Sequence, residues 1–433
     1  MTTPRKTSLL LPLALTLALP AAALAAPRKD PLERLRDGVN LWRQELRIET
    51  TMVAAHLRGM LGPQPAAADW TPRSAGKGRL VRGPEGVPIL YLEGTPEEMG
   101  RQHGLLLKRE IGALRAYVKA FVGPRRMRGA VERGERLFLP HVPERFLREL
   151  RAMAAAAEMS ERELLLAQWF ADIYRGFACS TLAAPSAEGE GTFLARNLDF
   201  PTMGYLQRYS IVIVARPAGQ RPFVSVGWPG MVGVLSGQNR SLAAATLVVH
   251  DDSGLSAGLP FQLLYRRVLE ETDDVAGAEA LLRAAPITVA NNLMLADAGG
   301  GARVVELHPQ RIESRGPGAD GLLVATNHFV TSERRRDRLS FSFLSSRRRF
   351  RAVEQTCPAR APVPLARARE ALAKASVPFT AQSMVFLPRQ GAVEVAFVRD
   401  GAAAKGRFVR LERGLLLEAK AASAPLPPAG ERR

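Results

Sequence analysis

Residues 179–200, CSTLAAPSAEGEGTFLARNLDF, constrain the fold of this chain more than any other stretch. Two short apolar runs, CSTLAA and TFLARNL, flank PSAEGEG, a Pro-, Ser- and Gly-bearing segment of the kind that reverses the chain. The pattern predicts a β-hairpin with Cys179 at the first residue of its leading strand. Upstream, SERELLLAQWFADIYRGFA has helical character as far as Gly176, so the chain reaches the cysteine through a helix-to-strand break. A nucleophile at such a break is expected to be accessible.

A cysteine nucleophile needs a base, most often histidine. The six histidines, His56, His103, His141, His250, His308 and His328, sit in none of the local signatures of cysteine–histidine enzymes. The other available base is the nucleophile's own α-amino group, whose ordinary pKa of about 7.7–8.0 suits proton transfer near neutrality. That route requires cleavage between Ala178 and Cys179, making the cysteine a chain terminus. The competing reading is an inert buried cysteine.

Four motifs follow one another along the chain: G-x-x-x-x-x-G-x-x-H-G from Gly94 to Gly104, the Cys-Ser-Thr start at Cys179, G-x-x-x-x-R-N-x-D-F from Gly191 to Phe200, and ATNHF from Ala325 to Phe329. In this order they resemble the autoproteolytic penicillin acyltransferase family (acyl-CoA:6-aminopenicillanate acyltransferase-like) of N-terminal-nucleophile cysteine hydrolases. More distantly, the chain is similar to the bile salt hydrolase, penicillin V acylase and acid ceramidase group. The resemblance extends from about Gly94 to about Val398.

The resemblance implies an α+β fold, a four-layer αββα sandwich preceded by a mostly helical N-terminal pro-region. It implies cleavage between Ala178 and Cys179, with Ala178 standing where glycine often precedes the cysteine, and a thioester on Cys179 whose acyl group passes to water or an amine. Asn327 takes the place of the oxyanion-hole asparagine, with a turn-forming role as its rival. A backbone N–H near Asn239 is the second donor. If the hairpin closes on itself, Arg196 and Asp199 return to the nucleophile's end. There Arg196 can favour the thiolate and Asp199 can hold the new α-ammonium. Ser346 with Arg349 occupies the family's S-x-x-R-F place, in a run that also holds Arg347, Arg348 and Arg351, and a solvated basic helix face is the alternative. Neither a metal nor an organic cofactor is implied, although some relatives take a coenzyme A thioester as donor. The expected partner is a small-molecule acyl amide or ester.

The amino terminus carries Arg5 and Lys6, an apolar run from Leu9 to Leu19 and small residues ending at Ala25, the pattern of a secretory signal peptide cut after Ala25. The apolar run is shorter than the ~20 residues of a membrane span. An exported protein, secreted or periplasmic, is expected. The formal charge of +18 favours anionic surroundings such as an envelope surface, with arginine-rich coding as the alternative. Nucleic acid is excluded as a partner by export, by 6% aromatics and by the lack of any nucleic-acid module.

The division expected is a signal peptide at 1–25, a helical N-terminal region (propeptide or small subunit) at 26–178, the catalytic αββα domain at 179–420 and a disordered tail at 421–433. Capping boxes are read at Thr95–Glu98, with Pro96 at the first helical position, and at Ser160–Glu163. His103 is read as packed and hydrogen-bonded rather than catalytic. Cys357 is expected to be a free structural residue, since pairing with Cys179 would disable the nucleophile. His250, Asp251 and Asp252 lack a third ligand at any metal-binding spacing. The competing functions are a lipid amidase or phospholipase-B-like hydrolase and, from a different class, a non-catalytic basic envelope-binding protein.

Overall fold

The structure, a computed structural model, describes residues 65–418 except 175–177, 250–253, 332–344, 358–361 and 399–400, together with isolated positions from 30 to 61. The signal peptide, the tail and the His250–Asp252 group lie outside the described residues.

In chain order the elements are β1 (Arg73–Ala75), β2 (Gly78–Arg82), β3 (Pro88–Gly94), α1 (Pro96–Val122), α2 (Pro124–Leu137), α3 (Glu144–Ala157) and α4 (Glu161–Ile173). Then follow β4 (Ser180–Pro185), β5 (Thr192–Asp199), β6 (Ile211–Pro217), β7 (Phe223–Gly227), β8 (Ser236–Gln238), β9 (Leu242–Val248), α5 (Phe261–Glu271) and α6 (Val275–Ala284). The chain continues through β10 (Asn291–Asp297), β11 (Ala302–His308), β12 (Arg311–Arg315), β13 (Leu323–Ala325), α7 (Ser346–Thr356), α8 (Leu365–Ala375), β14 (Thr380–Leu387), β15 (Ala392–Ala396) and β16 (Val409–Leu411).

The strands form a ten-stranded sheet in the order β1-β2-β3-β6-β7-β8-β9-β10-β11-β12 and a six-stranded sheet in the order β13-β4-β5-β14-β15-β16. The two face each other through β4, β5, β9 and β10. Helices α1, α5 and α6 cover the outer face of the larger sheet, and α7 and α8 cover that of the smaller. This is the four-layer αββα arrangement. The central strands of the smaller sheet are buried on both faces, which explains why they read as continuous apolar runs instead of alternating ones.

The expected hairpin is β4–β5, with Thr181 opposite Arg196 and Ser180 opposite Asn197. Strand alternation then sorts its side chains. Leu194 and Leu198 enter the core between the sheets, while Phe193 and Ala195 enter the core beneath α7 and α8. Arg196 shares the parity of Leu194 and Leu198, so it faces the larger sheet. Asn197 faces the helices, where Nδ2 donates to the carbonyl of Leu372 at 2.7 Å.

Before Cys179, helix fills 96–173 nearly throughout, in line with the mostly helical region expected, and the strand-like run VPILYLEG and the residues ahead of it form three strands of the larger sheet over 73–94, with β3 parallel to β6 through Ile89–Val212 and its neighbours. The capping box at Thr95 is present, with Glu98 N–H on Thr95 Oγ1 at 3.2 Å and Thr95 N–H on the Glu98 carboxylate at 2.7 Å. The one at Ser160 is absent, because Glu163 is engaged by Arg115 at 2.7 Å and Lys119 at 2.8 Å, both from α1.

Candidate active site

Cys179 immediately precedes β4, and its residue is fully buried, not accessible as expected from the helix-to-strand break. Cys179 packs in the main core, and Ala178 before it is itself buried against Val377 and Phe379, with its N–H donating to the Asp199 carbonyl at 3.2 Å. Among the described residues, the one hydrogen-bond neighbour of Cys179 Sγ is Arg196 Nη2, at 3.4 Å. The guanidinium is held from the opposite sheet, where Nη1 donates to the Leu235 carbonyl and to Ser236 Oγ. Cross-sheet anchoring fixes a long side chain that would otherwise have many rotamers.

Arg349 approaches from the helical layer. Its Nη1 donates to the Cys179 carbonyl and, at 3.1 Å, to Ser180 Oγ, and its Nη2 donates to Asn327 Oδ1 at 2.8 Å. Asn327 is thereby oriented, with Nδ2 donating one bond to the Val248 carbonyl at 2.7 Å. An amide nitrogen carries two hydrogens, and among the described residues this is the one acceptor on the Asn327 amide nitrogen. Asn292 was not singled out by any motif, yet its Nδ2 donates to the carbonyls of both Thr326 and His328 at 2.9 Å, bracing the backbone on either side of Asn327.

Asp199 ends β5. Thr380 Oγ1 donates to Oδ1 at 2.6 Å, whereas Oδ2 is buried with no hydrogen-bond partner among the described residues. Burial pushes its carboxyl up to about 7, against the opposing pull of Arg349, the Thr380 hydrogen bond and Arg196. The structure thus brings together Cys179, Arg196, Asp199, Asn327 and Arg349.

It does not bring Asn239 into this group as a donor. The Asn239 N–H donates to the Leu242 carbonyl at 2.9 Å in the β8–β9 turn, and its side chain ties that turn to the carbonyls of Leu269 and Thr272. An N–H spent inside a hairpin cannot serve an oxyanion, so that assignment is withdrawn.

Buried His103 and half-buried His328 both have their pKa pushed down. His103 is pushed down to about 3 by burial and by Arg266, and His328 to about 3 by burial and by Arg347, Arg349 and Arg315. His328 Nδ1 is 2.7 Å from Ser346 Oγ, so Ser346 serves that local cluster and not the sulfur. Cys357 is free and buried in the core under α7 and α8, its thiol pushed up to about 11 by burial.

An apolar cavity of about 90 Å³ adjoins the cluster. Phe200, next to Asp199, and Leu235, which holds Arg196, form its inner wall; Tyr117, Phe170, Trp228 and Met231 enclose much of the rest. A concave, mostly apolar space beside convergent polar groups is the usual form of a small-molecule site.

Residues 186–376 match the family model described as acyl-coenzyme A:6-aminopenicillanic acid acyl-transferase. That segment holds Arg196, Asp199, Asn327 and Arg349 and begins beyond Cys179. The chain is 23% identical over 225 residues to protein dcd1A of Dictyostelium discoideum, covering 44% of this chain and 51% of that protein. It is 22% identical over 311 residues to an uncharacterized protein of Archaeoglobus fulgidus, covering 57% and 51%. The chain therefore spans about half the length of these curated relatives. Among solved structures it is similar to a penicillin V acylase from Agrobacterium tumefaciens (17% identity, 55% of this chain and 89% of that one, TM-score 0.40). A second is a Caenorhabditis elegans ortholog of N-acylethanolamine-hydrolyzing acid amidase (17% identity, 49% and 93%, TM-score 0.39).

Proposed function

We propose that this chain, whose residues 186–376 match the acyl-coenzyme A:6-aminopenicillanic acid acyl-transferase family model, is an exported, self-processing cysteine amidohydrolase acting on amides or esters of apolar acyl groups. The observation that carries the reading is the placement of Arg196 Nη2 3.4 Å from Cys179 Sγ, with no histidine hydrogen-bonded to that sulfur among the described residues.

In the self-processing step the thiol adds to the Ala178 carbonyl carbon, the Ala178–Cys179 C–N bond breaks, and the acyl group moves to sulfur as a thioester. Breaking that bond frees the Cys179 α-amine, and water then hydrolyses the thioester, freeing the thiol and the Ala178 carboxylate. Arg349 on the Cys179 carbonyl keeps the new terminus in place. Asp199 Oδ2, buried and without a hydrogen-bond partner among the described residues, is suited to receive a hydrogen bond from the new ammonium.

In turnover the α-amine takes the thiol proton and sulfur attacks the substrate carbonyl. The second N–H of Asn327 binds the oxyanion, and the α-ammonium returns the proton to the leaving amine. Water repeats the sequence on the thioester. The acyl group extends into the apolar cavity, where each buried CH₂ contributes about 0.8 kcal/mol. That cavity favours an apolar acyl group and keeps a lipid amidase as the second reading.

Intact-mass measurement and N-terminal sequencing of the purified protein test the proposal. Two fragments are expected, the larger beginning CSTLAA, with Cys179→Ala remaining a single uncleaved chain. An active enzyme that stays uncut would overturn the α-amine mechanism.

A further inference from the structure

The Gly94–Gly104 motif has no role in the chemistry above, and its geometry gives it another. A Cβ at Gly100 would lie 2.0 Å from the Glu149 carbonyl oxygen, and one at Gly104 would lie 2.7 Å from both Ala156 Cβ and the Met153 carbonyl oxygen. The two glycines let α1 lie against α3 at a separation no larger residue permits, and His103 sits between them. Its Nε2 accepts the Gly230 N–H at 3.0 Å, fully buried.

Gly230 belongs to the segment that joins β7 to β8, and a second buried side chain holds the same segment. Gln168 of α4 donates from Nε2 to the Gly230 carbonyl at 2.9 Å and accepts the Val232 N–H on Oε1 at 3.0 Å. Gly230 has a φ of 83°, so its peptide orientation is one that other residues rarely adopt. Trp228, Pro229, Gly230, Met231 and Leu235 of this segment line the apolar cavity. At its end the Leu235 carbonyl receives Arg196, which reaches Cys179. A segment of irregular backbone thus forms the cavity wall and ends at the anchor of the sulfur's guanidinium. Both clamps come from before the expected cut.

Resting on the proposed acyl transfer to Cys179, we propose that His103 and Gln168 are positioning residues. They fix the Trp228–Leu235 segment so that it both shapes the acyl cavity and holds Arg196 against the sulfur. Neutral imidazole and carboxamide suit this work, because neither changes its hydrogen-bonding pattern across the pH range of the reaction.

The test uses the full chain, matured where it matures, with His103→Leu, His103→Gln, Gln168→Leu and Gln168→Glu. Two quantities are read: KM and kcat over an acyl-anilide series of increasing chain length, and the rate of Cys179 alkylation by iodoacetamide followed by mass. The Leu variants are expected to raise KM for long chains roughly tenfold, leave short chains within about threefold, and alter the alkylation rate by a similar factor. His103→Gln keeps an acceptor for the Gly230 N–H and should recover most of both, whereas Gln168→Glu keeps the acceptor for the Val232 N–H but loses the donor to the Gly230 carbonyl and should recover less. Lower thermal stability with an unchanged chain-length profile and unchanged alkylation would reduce the pair to ordinary packing and overturn the proposal. If the wild type hydrolyses no acyl anilide, the proposed activity fails. The alkylation comparison then decides the positioning alone, and equal rates in all five proteins would reject it.

Discussion

Arg196 lies on β5 and Cys179 immediately precedes its neighbour β4, but the guanidinium that meets the sulfur is held by the other sheet, through the Leu235 carbonyl and Ser236 Oγ. The contact depends on how the two sheets are stacked. Arg196→Leu removes it while keeping bulk, and should lower kcat by roughly 10²-fold and slow alkylation of Cys179 at neutral pH. Ser236→Ala should give a smaller loss in the same direction. Alkylation rates unmoved by Arg196→Leu would make the arginine a structural partner only.

Asn327 and Asn292 act at different removes. Asn327→Ala should reduce kcat by roughly 10²–10³-fold with KM little changed, since the amide is assigned to an oxyanion present only at the transition state. Asn292→Ala loosens the Thr326 and His328 carbonyls and should cost less activity but more stability. Steady-state kinetics paired with thermal melts separate the two outcomes.

The Asp199 carboxyl, raised by burial to about 7, makes the uncut chain sensitive to pH. A folded carboxyl that holds its proton when the unfolded one has released it contributes stability that is complete below the ordinary value of 3.8 and is lost as pH rises through about 7. In a Cys179→Ala background, melting temperature should fall between about pH 4 and about pH 7 and level off above that, and Asp199→Asn should flatten that fall. Equal slopes in both proteins would place the proton elsewhere.

If the chain is cut before Cys179, the two fragments should stay together. Strand β3 lies between β2 and β6 in the larger sheet, and α1 and α4 wall the apolar cavity. Size-exclusion chromatography of the cleaved protein without denaturant should give one peak containing both fragments. Recovery of an active larger fragment alone would contradict this.

The hairpin was legible because a turn-rich spacer separated two apolar runs, and Arg196 and Asp199 followed from its pairing. Arg349 was harder to single out, since local sequence does not say which arginine of a basic run faces inward. The structure answers through helical periodicity: Ser345, Ser346, Arg349 and Val353 are buried on one face of α7, while Arg348 and Arg351 are exposed. The apolar run of β3 was legible as a strand, but its pairing with β6 was not, because that partner lies more than a hundred residues later and no local pattern carries such a pairing. Asn239 was not legible in the same way, because a backbone N–H donor requires no particular side chain and leaves no mark in sequence, and here the Asn239 N–H is taken by the Leu242 carbonyl.

The Cys179 carbonyl is held by a residue 170 positions further on, and the Asp199 carboxylate by one 181 positions further on. A growing polypeptide that has passed the cysteine therefore still lacks the groups needed to act on it. Cleavage before Cys179, if it occurs, would act as an inspection of the finished product: a truncated or misassembled copy would keep its peptide bond, and the size of a band on a gel would report whether the last strands had arrived.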